Sequence, residues 1–287
     1  YQFERGNVSA RPAHDLYTDL SAGLKGQYYF GNHSVDFSYY RDRYNTFNIL
    51  ELLNNKRDTA SFDIIQTVRM QGNFHPSDRN SLTTGLEYNY ENLFSTRTDK
   101  GLKGAGEAVF YIQEDVRLGE KWDLIAGIRA SHHSNYGLNA APKISVMFRQ
   151  GSFIFRASAG TGFRSPALKE LYMNFDHFGE WYIIGNPQLK PASSKVISGS
   201  VEFSKPWNNS SVTVYRNELS NMITDRWLSD TVQLTRQYQN IASASVYGID
   251  FLSKQKIFNG LWLSMGYSYV HSYDNETQLQ LYGTTKN

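Results

Sequence analysis

Apolar and polar residues alternate along most of the chain with a period of two, the spacing that sends successive side chains to opposite sides of an extended strand. In Leu261–Tyr269, Leu261, Leu263, Met265, Tyr267 and Tyr269 fall on one side, and Ser264, Gly266 and Ser268 fall on the other. Trp122, Leu124, Ala126, Ile128 and Ala130 oppose Asp123, Gly127 and Arg129, with Ile125 as the exception. Ile197, Gly199, Val201 and Phe203 oppose Ser198, Ser200 and Glu202, and Val35, Phe37 and Tyr39 oppose Asp36 and Ser38. Each segment therefore has one dry face and one wet face.

The pattern predicts about twelve strands, at roughly 16–29, 33–43, 60–74, 80–92, 107–117, 121–132, 140–149, 152–160, 192–205, 209–228, 234–254 and 260–272. Short connections at Phe30, His75, Leu118, Arg149, Lys205 and Ile257 alternate with longer ones near 44–59, 93–106, 132–139, 161–191 and from 273 onward, and with a shorter one near 229–233. Such alternation gathers the short turns at one end of a sheet and the long loops at the other, as in a membrane barrel. Most segments also reach the roughly 9 to 11 residues of a tilted spanning strand, beyond the usual globular strand of about 5 to 6. The expected fold class is all-β, an antiparallel transmembrane β-barrel.

Composition supports this and narrows the function. The 287 residues include 20 Tyr and 17 Phe, yet the mean hydropathy is −0.51. Ring-rich strands that are polar on average suit a barrel wall. The chain has no Cys, so disulfide scaffolds, thiolate metal sites and Cys nucleophiles are excluded. A net charge of +2, without a Lys/Arg block, argues against nucleic acid as a partner. No apolar run approaches the roughly 18 residues of a spanning helix. The chain opens at YQFERGNVSA without an initiator Met and closes on a polar stretch, SYDNETQLQLYGTTKN, so residues 1–287 are expected to be one domain cut from a longer protein.

One segment breaks the rhythm. From Gly160 to Ser194 the chain reads GTGFRSPALKELYMNFDHFGEWYIIGNPQLKPASS, too long for a turn and too aromatic for a flexible linker. Its Gly162-Phe163-Arg164-Ser165-Pro166 and Asn186-Pro187-Gln188-Leu189-Lys190-Pro191 runs resemble the GFRAP-like and NPNL-like motifs of the TonB-dependent outer-membrane receptors, with Ser165 and Gln188 as departures. Downstream, YQNIASASVYGIDF (Tyr238–Phe251) is similar to that family's YxN…A…GxE strand, with Asp250 in place of Glu, and GLEYNYENL (Gly85–Leu93) to another of its barrel strands.

The resemblance implies a barrel of about 22 strands, of which this chain would be the middle part, closed by an N-terminal plug expected outside it. It further implies a Gram-negative outer membrane with its lipid as surroundings, energy from the TonB complex reached through the missing N-terminal region, and a transported small molecule: haem, cobalamin or a siderophore. A surface lipoprotein that caps the barrel is a further expected partner. In this reading Phe163, Arg164, Pro166, Asn186, Pro187 and Leu189 shape the loop. His177, in Asp176-His177-Phe178 between the two motifs, stands where the family's haem receptors carry a His, and a neutral imidazole suits haem iron. Tyr172, Phe175, Trp181 and Tyr182 would cover the porphyrin faces, although Tyr and Trp also populate the interface belts of any barrel.

The residues themselves leave alternatives open. A lone loop His is as often an ordinary polar residue, and cobalamin and siderophore receptors share both motifs. His132 and His133 top another strand, where a pair could hold metal or haem, and His14, His33, His75 and His271 fall at turns or strand ends without a role. Scattered carboxylates and the lack of a G-x-S-x-G or Ser/His/Asp constellation point away from an enzyme, and no intrinsic cofactor is expected. GLKGAG at Gly101 lacks the ending of a phosphate loop. A passive porin or adhesion barrel and a soluble carbohydrate-binding β-domain are the readings from other classes.

Overall fold

The computed structural model describes residues 13–50, 56–96, 98, 101–177, 181–228, 234–277 and 279–280. Eight long strands come first: β1 (Ala13–Phe30), β2 (His33–Leu50), β3 (Lys56–Ser77), β4 (Asn80–Ser95), β5 (Lys103–Leu118), β6 (Trp122–His133), β7 (Gly137–Gln150) and β8 (Phe153–Arg164). A single helix, α1 (Leu168–Tyr172), and two short strands, β9 (Phe175–His177) and β10 (Trp181–Ile184), follow. The wall then resumes with β11 (Ala192–Lys205), β12 (Asn208–Trp227), β13 (Thr235–Phe258) and β14 (Leu261–Asp274). Each long strand lies antiparallel to its predecessor among the long strands, so twelve of them form one up-and-down sheet. The twelve predicted segments correspond to these twelve strands one for one.

The boundaries differ at the long-loop end. β2 runs on to Leu50 and β3 begins at Lys56, so most of the predicted loop 44–59 is strand. The predicted loop 132–139 shrinks to a turn between His133 and Gly137, where Gly137 takes a φ of 69°. The reason is physical: strand ends beyond an apolar belt are wet on both faces, so pairing outlasts the alternation that reveals it. At the other end the turns are tight, as between Phe30 and His33, where Gly31 supplies a positive φ of 57°.

Register decides what each face presents, because directly opposed residues share a face. One row runs Trp122, Phe148, Phe155, Val201, Val212, Phe251 and Tyr267 across seven strands. Another runs Leu24, Tyr39, Val68, Tyr88 and Ala108. All four apolar sets read from the sequence lie on this face. It is open: Leu24, Leu86, Ile197 and Tyr267 are each more than 60% exposed. An apolar surface this broad calls for lipid or a partner to cover it.

The opposite face is polar and hydrogen-bonded. Its clearest feature is Glu87, buried on β4, which takes Arg69 Nη2 at 2.5 Å and Arg129 Nη2 at 3.0 Å and also accepts a hydrogen bond from Asn89. Tyr111 donates to Gln71 beside them. Two cations and an amide around one carboxylate satisfy a group that would be costly to leave unpaired.

Candidate functional site

The long connection between β8 and β11 begins where the strand can no longer continue. Pro166 disfavours helical backbone in Ser165, Ala167 is still extended, with φ −71° and ψ 151°, and the helix α1 starts at Leu168. Glu170 fixes this corner with both oxygens: Oε1 accepts Arg164 Nη2 at 2.5 Å and Oε2 accepts the Ala167 N–H at 2.8 Å. Leu168 is driven into the polar face of the wall near its long-loop end, where it packs with Leu93 and Ala105, and Tyr172 closes the cluster. The Lys103 ammonium lies 4.5 Å from the centre of the Tyr172 ring. The loop is therefore anchored inside the wall, above β4 and β5.

From there the chain turns back on itself. β9 and β10 form a small antiparallel hairpin, with Trp181 opposite His177, Tyr182 opposite Asp176 and Ile183 opposite Phe175. β10 then runs parallel to the start of β13, Tyr182 against Thr235, and the Tyr182 N–H donates to the Leu234 carbonyl at 2.9 Å. A connection that leaves β8, roots on β4 and β5 and reaches β13 passes across the polar face at the long-loop end.

The second motif locks the return. Gly185 passes so close to the Leu171–Tyr172 backbone that a Cβ there would sit 2.8 Å from it. The Asn186 N–H donates to the Glu170 carbonyl at 2.9 Å, and its Nδ2 donates to the Tyr238 carbonyl at 3.0 Å. Gln188 N–H closes a turn onto Asn186 Oδ1, and Leu189 is 3% exposed. Lys190 is held by Asn240, at 2.8 Å through its N–H and 2.9 Å through its carbonyl. Arg164, Asn186 and the Tyr238–Asn240 pair, which lie in three separate sequence motifs, thus belong to one hydrogen-bonded knot around Glu170.

Beneath the Ser165-Pro166-Ala167 corner lies a cavity of about 340 Å³ lined by Asn89, Glu91, Glu107, His133 and Phe163 among others. His133 is buried, accepts the Asn135 N–H on Nδ1 at 3.1 Å and lies against Tyr136. Burial raises the Tyr136 phenol above the usual tyrosine range, and the nearby Tyr172 and Glu170 add to the shift. A larger hollow of about 640 Å³ opens at the short-turn end, where Arg117 and Arg149 converge on Asp123. It lies at the opposite end of the wall from the loop, and Asp123 within it is already engaged by both arginines.

Of the candidate ligand residues, Tyr172 is a packing residue at the foot of the loop, and Tyr182 is half-buried on β10. The side chains of Phe175, His177 and Trp181 and all of Phe178 lie outside the described residues. His132 and His133 do not form a pair. They are successive strand residues and so point to opposite faces, His132 on the exposed apolar face opposite Ala108 and His133 buried on the polar one opposite Glu107. Among the described residues, no three His, Asp or Glu side chains gather to hold a metal ion. His33 and His75 meet at the short-turn end, where the His75 N–H donates to His33 Nδ1 at 3.0 Å. Glu170 and Gly185 are the organising residues that motif reading did not single out, whereas Asn240 is the Asn of the YxN motif. An acid three residues past Ala167 was the available signal for the first.

A wall of long antiparallel strands, apolar on one face and polar on the other, with one long connection folded across the polar face, defines an outer-membrane type of β-barrel. The chain belongs to the TonB dependent receptor-like β-barrel family, whose model matches residues 1–287. It is 25% identical over 240 residues to the vitamin B12 transporter BtuB of Photobacterium profundum, covering 81% of this chain and 38% of that transporter. It is 24% identical over 210 residues to the heme/hemopexin utilization protein C of Haemophilus influenzae, covering 59% of this chain and 30% of that protein. In fold it matches the siderophore receptor PirA from Pseudomonas aeruginosa with a TM-score of 0.79 at 18% identity, over 92% of this chain and 51% of PirA. The chain thus spans about half or less of the proteins it resembles.

Proposed function

We propose that the complete protein is a TonB-dependent receptor in the outer membrane of a Gram-negative bacterium, importing a large scarce nutrient, with haem as its cargo. The observation that carries the ligand-handling part is the β8–β11 connection, rooted on β4 and β5 and bridged to β13, so that it overlies the polar face at the long-loop end. The haem assignment rests on His177, on the β9–β10 hairpin, and is supported by a relative named for haem utilization. The protein itself needs no resident cofactor in this reading, and TonB is engaged through the N-terminal region, with a capping lipoprotein as a further partner.

A second cargo, cobalamin, is favoured by the relative named for vitamin B12, whose match covers more of this chain, and a ferric siderophore by the relative named a ferric enterobactin receptor. Titration of the purified full-length receptor with haem, cobalamin and a ferric siderophore, each followed by its own visible absorption, separates the readings. Saturable haem binding with no response to the other two is expected. Saturable binding of either rival, without haem, transfers the assignment to it, and no binding of any of the three removes the importer reading.

A further inference from the structure

The apolar face is almost free of charge between its two rims, and where charge appears it is usually paired. On β12, Arg216 Nε meets Glu218 Oε1 at 2.5 Å, and Lys195 on β11 stands directly opposite Glu218. β2 is different. After Val35, Phe37 and Tyr39, the next two positions on the same face are Arg41 and Arg43, both exposed. Arg41 lies in a row between Ala22 and Gln66, and Arg43 between Leu20 and Ile64. Arg43 is steadied by Asn45 Oδ1 at 2.9 Å and by the Phe62 ring, 5.3 Å from its guanidinium carbon. Neither contact neutralises it.

No carboxylate shares this face at any described position of β1 to β4. Asp15, Asp19, Asp36, Asp42, Asp63, Glu87 and Glu91 all fall on the polar side by register. Alternating residues of one strand lie about 7 Å apart, so two guanidinium groups can converge on a single tetrahedral anion, for which Arg is well suited. The position also selects the anion. The Tyr39 hydroxyl, donating to Gln66 at 3.2 Å, Tyr88 and Tyr90 on β4, and the Phe62–Phe94 pair in the next row toward the long-loop end flank the arginines with the rings of an aromatic girdle. That is headgroup depth, where unpaired cations on a lipid-facing surface find their counter-charge in the membrane.

We propose that Arg41 and Arg43 form a site for the phosphate of an anionic lipid headgroup in the leaflet at the long-loop end. The proposal rests on the outer-membrane reading above. Its test uses the full-length receptor in an uncharged detergent, with thermal unfolding followed after adding bisphosphorylated lipid A, phosphatidylcholine or inorganic phosphate. Lipid A should raise the unfolding midpoint and the other two should not. The shift should vanish in R41Q/R43Q, persist largely in R41K/R43K, and persist fully in R216Q, whose arginine already has a partner. If R41Q/R43Q does not assemble, the two single Gln variants should each lose part of the shift. A full shift in the Gln variants, no shift in the parent, or an equal shift with inorganic phosphate would overturn the proposal. Failure of the outer-membrane reading is seen separately, as absence of the receptor from the outer-membrane fraction of cells.

Discussion

Asn240 grips the backbone of Lys190 from both sides: its Oδ1 accepts the Lys190 N–H at 2.8 Å and its Nδ2 donates to the Lys190 carbonyl at 2.9 Å. The remaining Nδ2 proton goes to the Asn221 carbonyl at 2.7 Å, where Asn221 itself takes a positive φ of 53°. One side chain on β13 thus imitates a strand neighbour for a loop residue 50 positions earlier. Both Nδ2 protons are used and Oδ1 accepts one bond, so the residue type is specified by three bonds.

Asn240→Asp should therefore loosen the loop more than Asn240→Ala, although it is the closer isostere. The carboxylate keeps the acceptor for Lys190 N–H but places a second acceptor against two carbonyls, whereas Ala loses the bonds without adding repulsion. Truncation should cost about 1 to 3 kcal/mol of local stability. Hydrogen exchange at Leu189 and Lys190 in the full-length receptor measures this, with the amides of β3 to β6 as an internal reference. Equal protection in both variants and the parent would show that the grip is incidental.

The faces of the wall were legible in the sequence because they depend on a period of two between chain neighbours. Leu263 and Val201 declare themselves without knowledge of any partner. The loop was not legible in the same way. That Asn186 reaches Tyr238, or that Gly185 must clear Leu171, is a relation between residues far apart in sequence, and periodicity carries no information about it. His132 and His133 show the converse. Adjacency in sequence left a paired site open beside the commoner reading of two surface residues, and strand geometry closes it by sending them to opposite faces, with His133 buried.

The face assignment makes a paired test possible at Ile144 and Ser145. Ile144 is 52% exposed on the apolar face between Ala126 and Ala159. Ser145 lies on the polar face between Ile125 and Ser158, at the edge of a trough of about 300 Å³ floored by Ser158, Ser198 and Ser200. Ile144→Arg should destabilise the folded barrel by about 2 to 4 kcal/mol near the membrane midplane, and Ser145→Arg should be mild. Urea unfolding in lipid vesicles reads both. Equal penalties would mean that the faces are not lipid and lumen.

Gly185 supplies a test of the knot that leaves its hydrogen-bonding side chains in place. Gly185→Ala puts a methyl 2.8 Å from the Leu171 carbonyl and the Tyr172 nitrogen, which are backbone atoms with no rotamer to yield. Overpacking of this kind costs about 1 to 3 kcal/mol, and here it would pry Asn186 from Glu170. Gly26→Ala is the control, because a Cβ there meets nothing within 4 Å. On intact cells, protease should cut the 165–191 loop faster in the first variant and at the parental rate in the second. An unchanged rate in Gly185→Ala would indicate that the loop reaches its place without this close passage.

The cargo prediction turns on His177. The hairpin register sets His177 opposite Trp181, and the same hairpin is fastened to β13 through Tyr182 and Thr235. Substitution at His177 leaves the foot of the loop at Leu168 and the knot at Glu170 untouched, so folding should be unaffected while ligand chemistry changes. In the full-length receptor His177→Ala is expected to weaken haem binding, to alter the visible spectrum of bound haem and to slow growth on haem as the iron source. The loss should be partial if a second axial donor comes from elsewhere in the protein, since one remaining ligand still holds the iron. His177→Tyr should restore part of the affinity with a different spectrum, because a phenolate is also a competent haem ligand. A parental spectrum and affinity in His177→Ala would remove haem ligation from this residue, while the family and the fold of the loop would stand.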